Sequence, residues 1–428
     1  MISDNHTSTK TPQLSTLVEH KLAGLSPIQT IMKMAEEQNI KKMGLNPKEV
    51  ISFGGGWCNH KAPEQLQQAY QHITEDNTLF HQSGRYSAII GDAACRNMLA
   101  AFEQNIFHIP TLQAENIILG QSSTQLFHDL LRVICNDNTD VAVLDPTYAN
   151  YANAIKSALP NSKVHYIKAL DETTWSYLAQ PQHSLEKVKE YFSKNTKALI
   201  VPVPDNPTSQ IPDSNFLKAC LEIAQDSNGF LVLDHAYKAL WFDEMPPCFC
   251  WSPEDHPNLI TIHSNSKWLS SLGRRLGWIE ASQQVIAGLE KTNESVLLSP
   301  DTMHSMATAL FLKNTLQDGT LKDYIEKTRT LYKKTSKILT KGIERYLQWD
   351  YLEPMGGLYT CCPVPKKQEP NSFVEDLLKN TGVLLIPGTG FGPSMNHALR
   401  LSYGPLCYDH EKIQEGLERI SHYLEKKS

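Results

Sequence analysis

A regular alternation of short apolar segments and helical segments, between about residues 115 and 285, restricts the fold of this 428-residue chain most strongly. The apolar segments are rich in Val, Ile and Leu, which is typical of strands buried on both faces. Strands that alternate with helices predict a mostly parallel sheet covered by helices on both faces. Active groups then collect at the carboxyl ends of the strands. The predicted strands are 116–119, 141–144, 198–203, 230–234, 259–262 and 277–281, and the intervening helices include 124–134 and 215–225.

The pattern changes after about residue 300, where longer helical segments and a few short apolar segments predict a smaller α+β part. The helices are expected at 302–316 and 321–346, and the strands near 358–360, 383–386 and 399–402. Another helical segment begins at Ser26, has Pro27 in its first turn and runs to about Lys42. We expect it to pack with the smaller part. The chain should therefore divide into an N-terminal segment (1–55), a large domain (56–299) and a small C-terminal domain (300–428).

The composition argues against several classes of partner. A formal net charge of -6 gives no general basic surface for nucleic acid, and no apolar run is long enough to span a membrane. The polar N-terminus lacks the apolar part of a secretion signal, and nine irregularly spaced cysteines fit reduced thiols. We therefore expect a cytoplasmic protein. Cys248 and Cys250 form a close pair without a second Cys/His pair nearby, which predicts free thiols and no metal site.

One lysine stands in a setting suited to covalent chemistry. Lys267 lies in a loop between the apolar segments 259–263 and 276–281, with Ser264 before it and Arg275 after it. An amine in this position can form a Schiff base with a carbonyl compound, and the serine and arginine suit a phosphate. The alternative interpretation is a solvated Ser-Lys-Arg loop, which a lone Ser-Lys pair would favour.

Polar residues also stand at the ends of two other predicted strands. Asn206 precedes Pro207, which holds the asparagine backbone extended, so its amide can donate from a fixed position; an ordinary turn is the alternative. Asp234 ends an apolar strand, and Tyr237 follows three residues later. A carboxylate there needs a cationic or donating partner, unless it only caps the next segment.

Three further positions extend this set. The segment 120–125 links a strand to a helix, where backbone N–H groups can hold a phosphate or form a simple cap. Tyr148 follows the strand 141–144, and its ring can stack on a planar ligand. Arg400 lies inside an apolar strand, where its guanidinium suits a carboxylate ligand or a structural ion pair.

The order and spacing of these residues resemble those of the class I/II aminotransferases of fold-type I, the pyridoxal 5'-phosphate (PLP) family typified by aspartate aminotransferase. The family pattern runs N-P, D-x-x-Y, S-x-x-K and R-x-G, and it is met at Asn206-Pro207, Asp234/Tyr237, Ser264/Lys267 and Arg275/Gly277. The resemblance covers nearly the whole chain. It implies an α/β fold with a mostly parallel seven-stranded sheet between helices in the large domain, plus a smaller α+β domain. It also implies an aminotransferase that moves an amino group between an L-amino acid and a 2-keto acid by a ping-pong mechanism.

The resemblance implies a role for each residue. Lys267 would form the Schiff base with PLP and later move the proton, and Asp234 would pair with the pyridine nitrogen, so that the ring acts as an electron sink. Tyr237 and Asn206 would hydrogen-bond the phenolic oxygen, and Tyr148 would stack on the ring. The phosphate would be held by Ser122, Ser123, Thr124, Ser264 and Arg275, and the substrate by Gly56, Trp57, Asn206 and Arg400.

The same resemblance implies a homodimer with shared sites. The segment 84–91 is similar to the family segment whose tyrosine, here Tyr86, reaches the phosphate of the neighbouring subunit. The chain departs from the family where Gly56-Trp57-Cys58 replaces G-x-P, and at Ser209, His235 and Ser270. These departures leave the substrate open, although a bulky Trp57 lining the pocket mildly favours an apolar or aromatic one.

Other functions remain to be weighed. A PLP-dependent lyase, decarboxylase or oxidase acting on an amino acid would use the same cofactor contacts, although a carboxylate clamped by Arg400 argues against decarboxylation. A PLP-binding regulator is disfavoured because no basic helix-turn-helix stretch precedes residue 26. A nicotinamide dehydrogenase is disfavoured because Gly54-Gly55-Gly56 lacks the G-x-G-x-x-G spacing.

Overall fold

The computed structural model describes residues 15, 18, 33–365 and 368–427. The predicted N-terminal helix therefore lies partly outside the described residues, which exclude Ser26, Pro27 and the rest of the chain up to residue 32. Its described end is the helix Glu37–Lys42 (α1), which stops where the sequence predicts. Met34, Met43 and Leu45 pack against an apolar cluster that includes residues of the strands Tyr359–Pro363, Val383–Leu384 and Ala398–Ser402.

The described strands fall mainly into one large sheet and one small sheet. In chain order they are β1 (Ile51–Ser52), β2 (Ile117–Gly120), β3 (Asp140–Asp145), β4 (Val164–Lys168), β5 (Leu170–Asp171), β6 (Ser176–Tyr177), β7 (Thr196–Pro202), β8 (Phe230–Asp234), β9 (Leu259–Ser264), β10 (Gly277–Glu280), β11 (Tyr359–Pro363), β12 (Val383–Leu384), β13 (Ile386–Pro387) and β14 (Ala398–Ser402).

The large sheet has seven strands in the order β2-β10-β9-β8-β7-β3-β4. Only β10 runs antiparallel to its neighbours, which confirms the mostly parallel sheet. The six apolar segments predicted as strands all belong to it. The seventh strand, β4, lies at the edge and carries polar residues on a partly exposed surface, so it lacks the apolar run that identifies a central strand.

Helices cover both faces of this sheet because successive side chains of each strand point to opposite faces. Val141 and Val143 of β3 pack in one apolar cluster, whereas Ala142 and Leu144 pack in the other. The remaining described α-helices, in chain order, are α2 (Glu64–Glu75), α3 (Asn77–Ser83), α4 (Ala93–Ile106), α5 (Ser123–Ile134), α6 (Tyr151–Ala158), α7 (Pro181–Phe192), α8 (Ser214–Asp226), α9 (Asn265–Trp268), α10 (Gln283–Val296), α11 (Thr302–Gln317), α12 (Thr320–Gly342), α13 (Pro370–Thr381) and α14 (His410–Lys427).

The smaller part is built around a three-stranded antiparallel sheet in the order β11-β14-β13. The long helix α12 continues as a π-helical turn at Ile343–Leu347, close to the predicted end at residue 346. In the same part, β1 pairs with β12 in parallel. Among the helices that the structure describes, none combines the length and the apolar character needed to cross a bilayer.

Candidate active site

A cavity of about 330 Å³ opens at the carboxyl ends of β7, β8 and β9 and beside the first turn of α5. This is the edge where the strand pattern predicts active groups. Most of the predicted residues line it: Gly56, Ser123, Thr124, Tyr148, Asn206, Asp234, Tyr237, Ser264, Lys267, Arg275 and Arg400. Three predicted residues, Ser122, Trp57 and Tyr86, are not part of the lining.

The Lys267 amine points into this cavity from the short helix α9. The Ser264 hydroxyl caps that helix by accepting from the Ser266 N–H at 3.1 Å, which fixes the turn that carries the lysine. Lys267 Nζ donates to the Gly56 carbonyl at 2.6 Å and lies 5.6 Å from the centre of the Tyr237 ring. The amine is thus half-buried and directed at the cavity, which excludes the interpretation of a fully solvated loop.

Asp234 ends β8 with its carboxylate in the cavity wall. The Tyr151 hydroxyl donates to Oδ2 at 2.5 Å, and the Ala236 N–H donates to Oδ1 at 2.9 Å. Burial raises the pKa of this carboxyl, whereas both hydrogen bonds and the charges of His263 and Lys267 oppose that rise. An ionised Asp234 is therefore stabilised by neighbouring donors, and a cationic ligand group would stabilise it further.

Tyr151 was not predicted, although a signal for it exists. It follows Tyr148 by three residues at the start of α6, so both rings lie near the same end of the sheet, and their centres are 5.4 Å apart. Sequence reasoning assigned only the first of the two tyrosines.

Arg400 on β14 lines the cavity, and no described carboxylate pairs with it. Its Nη1 donates to Asn206 Oδ1 at 3.0 Å and its Nη2 to the Gly54 carbonyl at 2.9 Å. The guanidinium lies 4.5 Å from the Tyr359 ring centre and 5.0 Å from that of Phe391, and its buried Nε has no hydrogen-bond partner. Within residues 33–365 and 368–427, no acidic side chain forms an ion pair with it, so the structural ion pair is excluded there and a free cationic donor faces the cavity.

Tyr237 and Tyr359 form a pair of phenols beside Lys267. Their hydroxyls are 2.7 Å apart, and Tyr359 Oη also donates to the Gly56 carbonyl at 3.4 Å. Burial and the neighbouring phenol hold the pKa of Tyr237 well above its usual value, so Tyr237 is a neutral donor. Sequence reasoning missed Tyr359, because it comes from β11 of the small sheet and no local motif marks it.

The opposite corner of the cavity is suited to an anion. Ser123 and Thr124 occupy the first turn of α5, where backbone N–H groups lack intrahelical acceptors and the helix dipole favours negative charge. A Cβ added at Gly277 would lie 2.5 Å from the Ser123 nitrogen, so glycine lets β10 approach this turn closely. Arg275 joins the same corner with its backbone in the left-handed region at φ 53°, and its Nη1 donates to the Leu272 carbonyl at 2.7 Å.

The three predicted residues outside the lining have other surroundings. The Ser122 hydroxyl caps α5 by accepting from the Gln125 N–H at 3.2 Å. Trp57 is 44% exposed, and its indole packs on Gly55, where an added Cβ would lie 2.4 Å from the ring. The prediction that Trp57 lines the pocket is therefore not confirmed, because Trp57 is not among the residues that line the cavity. Tyr86 is 82% exposed, and its role toward a neighbouring subunit stays a prediction.

Comparison with known proteins gives consistent matches over nearly the whole chain. The family model described as aminotransferase class I and II matches residues 48–420. The aspartate aminotransferase of Pyrococcus horikoshii is 24% identical over 398 residues, which cover 92% of this chain and 96% of that protein. The LL-diaminopimelate aminotransferase of Maridesulfovibrio salexigens is 24% identical over 375 residues, or 87% of this chain and 91% of that protein. A solved structure of a Thermus thermophilus aspartate aminotransferase double mutant superimposes with a TM-score of 0.82 at 22% identity, covering 96% of this chain and all of the other.

Proposed function

Because this chain belongs to the class I and II aminotransferase family, we propose that it moves an amino group between an L-amino acid and a 2-keto acid by a ping-pong cycle with PLP as its cofactor. Family membership makes the chain a transaminase. One observation supports the finer proposal: the Lys267 amine, the Asp234 carboxylate and the unpaired Arg400 guanidinium converge on a single cavity.

The cavity offers a complementary group for each polar feature of PLP. The Lys267 amine suits the aldehyde, Asp234 suits the pyridine nitrogen, and Tyr237 with the amide nitrogen of Asn206 suits the phenolic oxygen. The exposed N–H groups at the start of α5, with Arg275 and Ser264, suit the phosphate. When bound, PLP supplies an electron sink for the carbanion left by loss of the α-proton.

The protein side chains then bind the substrate and move the proton. Arg400 binds the substrate α-carboxylate through its free donor edge, and its contacts with Asn206 and Gly54 fix the plane of the guanidinium. Lys267 lines the same cavity as Arg400 and Asp234, so its amine is placed to carry a proton to and from the substrate Cα. Holding the carboxylate in this way favours loss of the α-proton over loss of the carboxylate. The relatives are aminotransferases, so they do not favour the lyase, decarboxylase and oxidase alternatives.

We also propose a homodimer in the cytoplasm, with Tyr86 contributed across the interface. Support comes from large hydrophobic side chains exposed on segments 80–86 and 296–298: Phe80, Tyr86, Val296 and Leu298 are 55%, 82%, 58% and 47% exposed. The segments that carry them are joined by a hydrogen bond of 3.0 Å from the Ser87 N–H to Ser299 Oγ. Large apolar side chains exposed on adjoining segments are a feature of protein interfaces. Nine free thiols fit a reducing compartment.

Half-reaction spectroscopy tests the proposed function. The purified protein loaded with PLP should absorb visible light, and an amino acid added without keto acid should convert that absorption to the pyridoxamine phosphate spectrum. Lys267→Ala should abolish the visible band, whereas the matched control Lys291→Ala, an 83% exposed lysine on α10, should retain it. An unchanged spectrum in Lys267→Ala would exclude the proposal, and a panel of amino acids would rank substrates in the same assay.

A further inference from the structure

A hydrogen-bonded clasp joins the large sheet to the smaller part of the chain. It consists of Asp145, which ends β3, and Ser394, which lies in the loop 388–397 between β13 and β14. Ser394 Oγ donates to Asp145 Oδ1 at 2.8 Å. The Ser394 N–H is shared between Oδ2 at 3.0 Å and Oδ1 at 3.2 Å. Both residues are 4% exposed, so one buried carboxylate holds the side chain and the backbone of the loop together.

A second hydrogen bond continues this contact toward the cavity. The Thr147 N–H donates to the Phe391 carbonyl at 2.8 Å, and Thr147 directly precedes Tyr148, which lines the cavity. The loop and the end of β3 also approach closely at Gly392, where an added Cβ would overlap Asp145 Oδ1. The absence of a side chain at Gly392 therefore lets the loop backbone reach the carboxylate.

The clasped loop brings an aromatic ring to the cavity. Phe391 lines the cavity, is buried and has its ring centre 5.0 Å from the Arg400 guanidinium. It belongs to a small apolar cluster with Ala149, which also lines the cavity. One wall of the cavity beside Arg400 is therefore formed by a ring that the loop supplies.

Glycines on both sides of Phe391 make its position depend on these anchors. Gly390 and Gly392 have φ values of 101° and 122°, which glycine adopts freely and other residues rarely adopt. Rotation at either glycine would move the Phe391 ring unless the loop were held. The Thr147 N–H holds the Phe391 carbonyl, and the clasp holds the loop three residues later, so the two contacts together fix the ring.

We infer that Asp145 is a positioning residue, which acts through Ser394 to hold the loop 388–397 so that the Phe391 ring stays beside Arg400. In this place the ring offers an apolar contact to the part of the substrate next to its α-carboxylate. Neither residue of the clasp lines the cavity, so their effect on substrate binding is indirect. The inference rests on the proposed function, because it requires Arg400 to bind the substrate α-carboxylate.

Ser184 provides a matched control for Ser394. Its hydroxyl donates to the Lys168 carbonyl at 2.9 Å, it is also 4% exposed, and it lies on α7 outside the cavity lining. Ser394→Ala and Ser184→Ala therefore each remove one buried hydroxyl and its hydrogen bond. Of the two changes, Ser394→Ala alone loosens the loop that carries Phe391.

The test measures the half-reaction rate as a function of amino acid concentration in wild type, Ser394→Ala, Asp145→Ala and Ser184→Ala. The probe is the protein amino acid that reacts fastest with the PLP-loaded wild type. A ring that becomes ordered only when substrate binds weakens binding, so KM should rise roughly 3- to 10-fold in Ser394→Ala and further in Asp145→Ala. The rate at saturating amino acid should stay within about twofold of wild type. Ser184→Ala should keep the wild-type KM even where its melting temperature falls equally.

A double-mutant cycle then shows whether the clasp acts through the ring. Phe391→Ala removes the ring, so adding Ser394→Ala to it should raise KM no further. Additive effects of the two changes would overturn the inference, and so would a wild-type KM in Ser394→Ala or an equal rise in Ser184→Ala. Each of these outcomes leaves the proposed function intact, because wild type still reacts. Absence of a half-reaction in wild type would overturn both. If Asp145→Ala does not fold, the comparison of Ser394→Ala with Ser184→Ala decides the question.

Discussion

Replacing Arg400 by alanine should weaken amino acid binding steeply without loss of PLP. Arg400 is 5% exposed, its guanidinium donates hydrogen bonds to Asn206 and to the Gly54 carbonyl, and its Nε has no hydrogen-bond partner among the described residues. A substrate carboxylate bound to that free edge would lose charge-assisted hydrogen bonds, each contributing about 1.5–3 kcal/mol. We therefore expect a loss of about 2–4 kcal/mol, which corresponds to a KM increase of roughly 30- to 1000-fold at 1.36 kcal/mol per tenfold change.

The assay measures the half-reaction rate as a function of amino acid concentration in wild type, Arg400→Ala and Arg400→Lys. Lysine keeps the charge but not the planar fork, so its KM should lie between the other two. The corresponding amine, which lacks a carboxylate, should react equally poorly with all three proteins. An unaffected KM in Arg400→Ala, or an equal loss of activity toward the amine, would refute the assigned role.

The remaining predictions concern Asp234, Tyr86 and Asp145. Asp234→Asn should lower kcat by about 10²-fold or more, and its PLP-free form should melt no lower than wild type because a buried carboxylate with a raised pKa has been removed; a wild-type kcat would contradict this. Tyr86→Phe should weaken PLP retention. If the tyrosine acts across subunits, mixed dimers of Tyr86→Phe with Lys267→Ala should recover one intact site. A monomer by sedimentation would exclude a role for Tyr86 across an interface. Burial raises the pKa of Asp145 from 3.8 to about 6, although the hydrogen bonds from Ser394 lower it. Because the pKa is higher in the folded state, the stability of wild type falls as pH rises through this interval. The free energy of unfolding of Asp145→Asn should therefore gain roughly 1–3 kcal/mol relative to wild type between pH 4 and pH 7. Urea unfolding at both pH values measures this gain, and a pH-independent difference would contradict it.

Local sequence predicts the site wherever a polar residue interrupts the end of an apolar strand. Asp234 ends β8 in this way, Asn206 and Lys267 follow β7 and β9, and parallel strands bring such ends to one edge. The same reasoning located six of the seven strands, but not β4 at the partly exposed edge. The division into segments 1–55, 56–299 and 300–428 stays a prediction.

Sequence reasoning did not predict contacts between segments that are far apart along the chain. Tyr359 reaches Tyr237 from the small sheet, 122 residues away, and no spacing rule connects the two. Glu103 and Lys238 are separated by 135 residues, and a buried charged residue on a helix does not reveal its partner in the sequence. His263 was treated as the end of an apolar strand, because alternation along β9 shows only that its side chain is buried.

The hydrogen bond between Arg400 and the Gly54 carbonyl joins groups 346 residues apart. Gly54 leaves the ribosome early in synthesis, whereas β14 emerges only when the chain is nearly finished. A stalled or truncated chain that ends before β14 can form much of the large sheet, yet it has no complete cavity. The carboxylate site at Arg400 is therefore completed only when translation is almost finished, whereas every side chain proposed to contact PLP precedes β14, so amino acid binding would report full-length folding more directly than visible absorption.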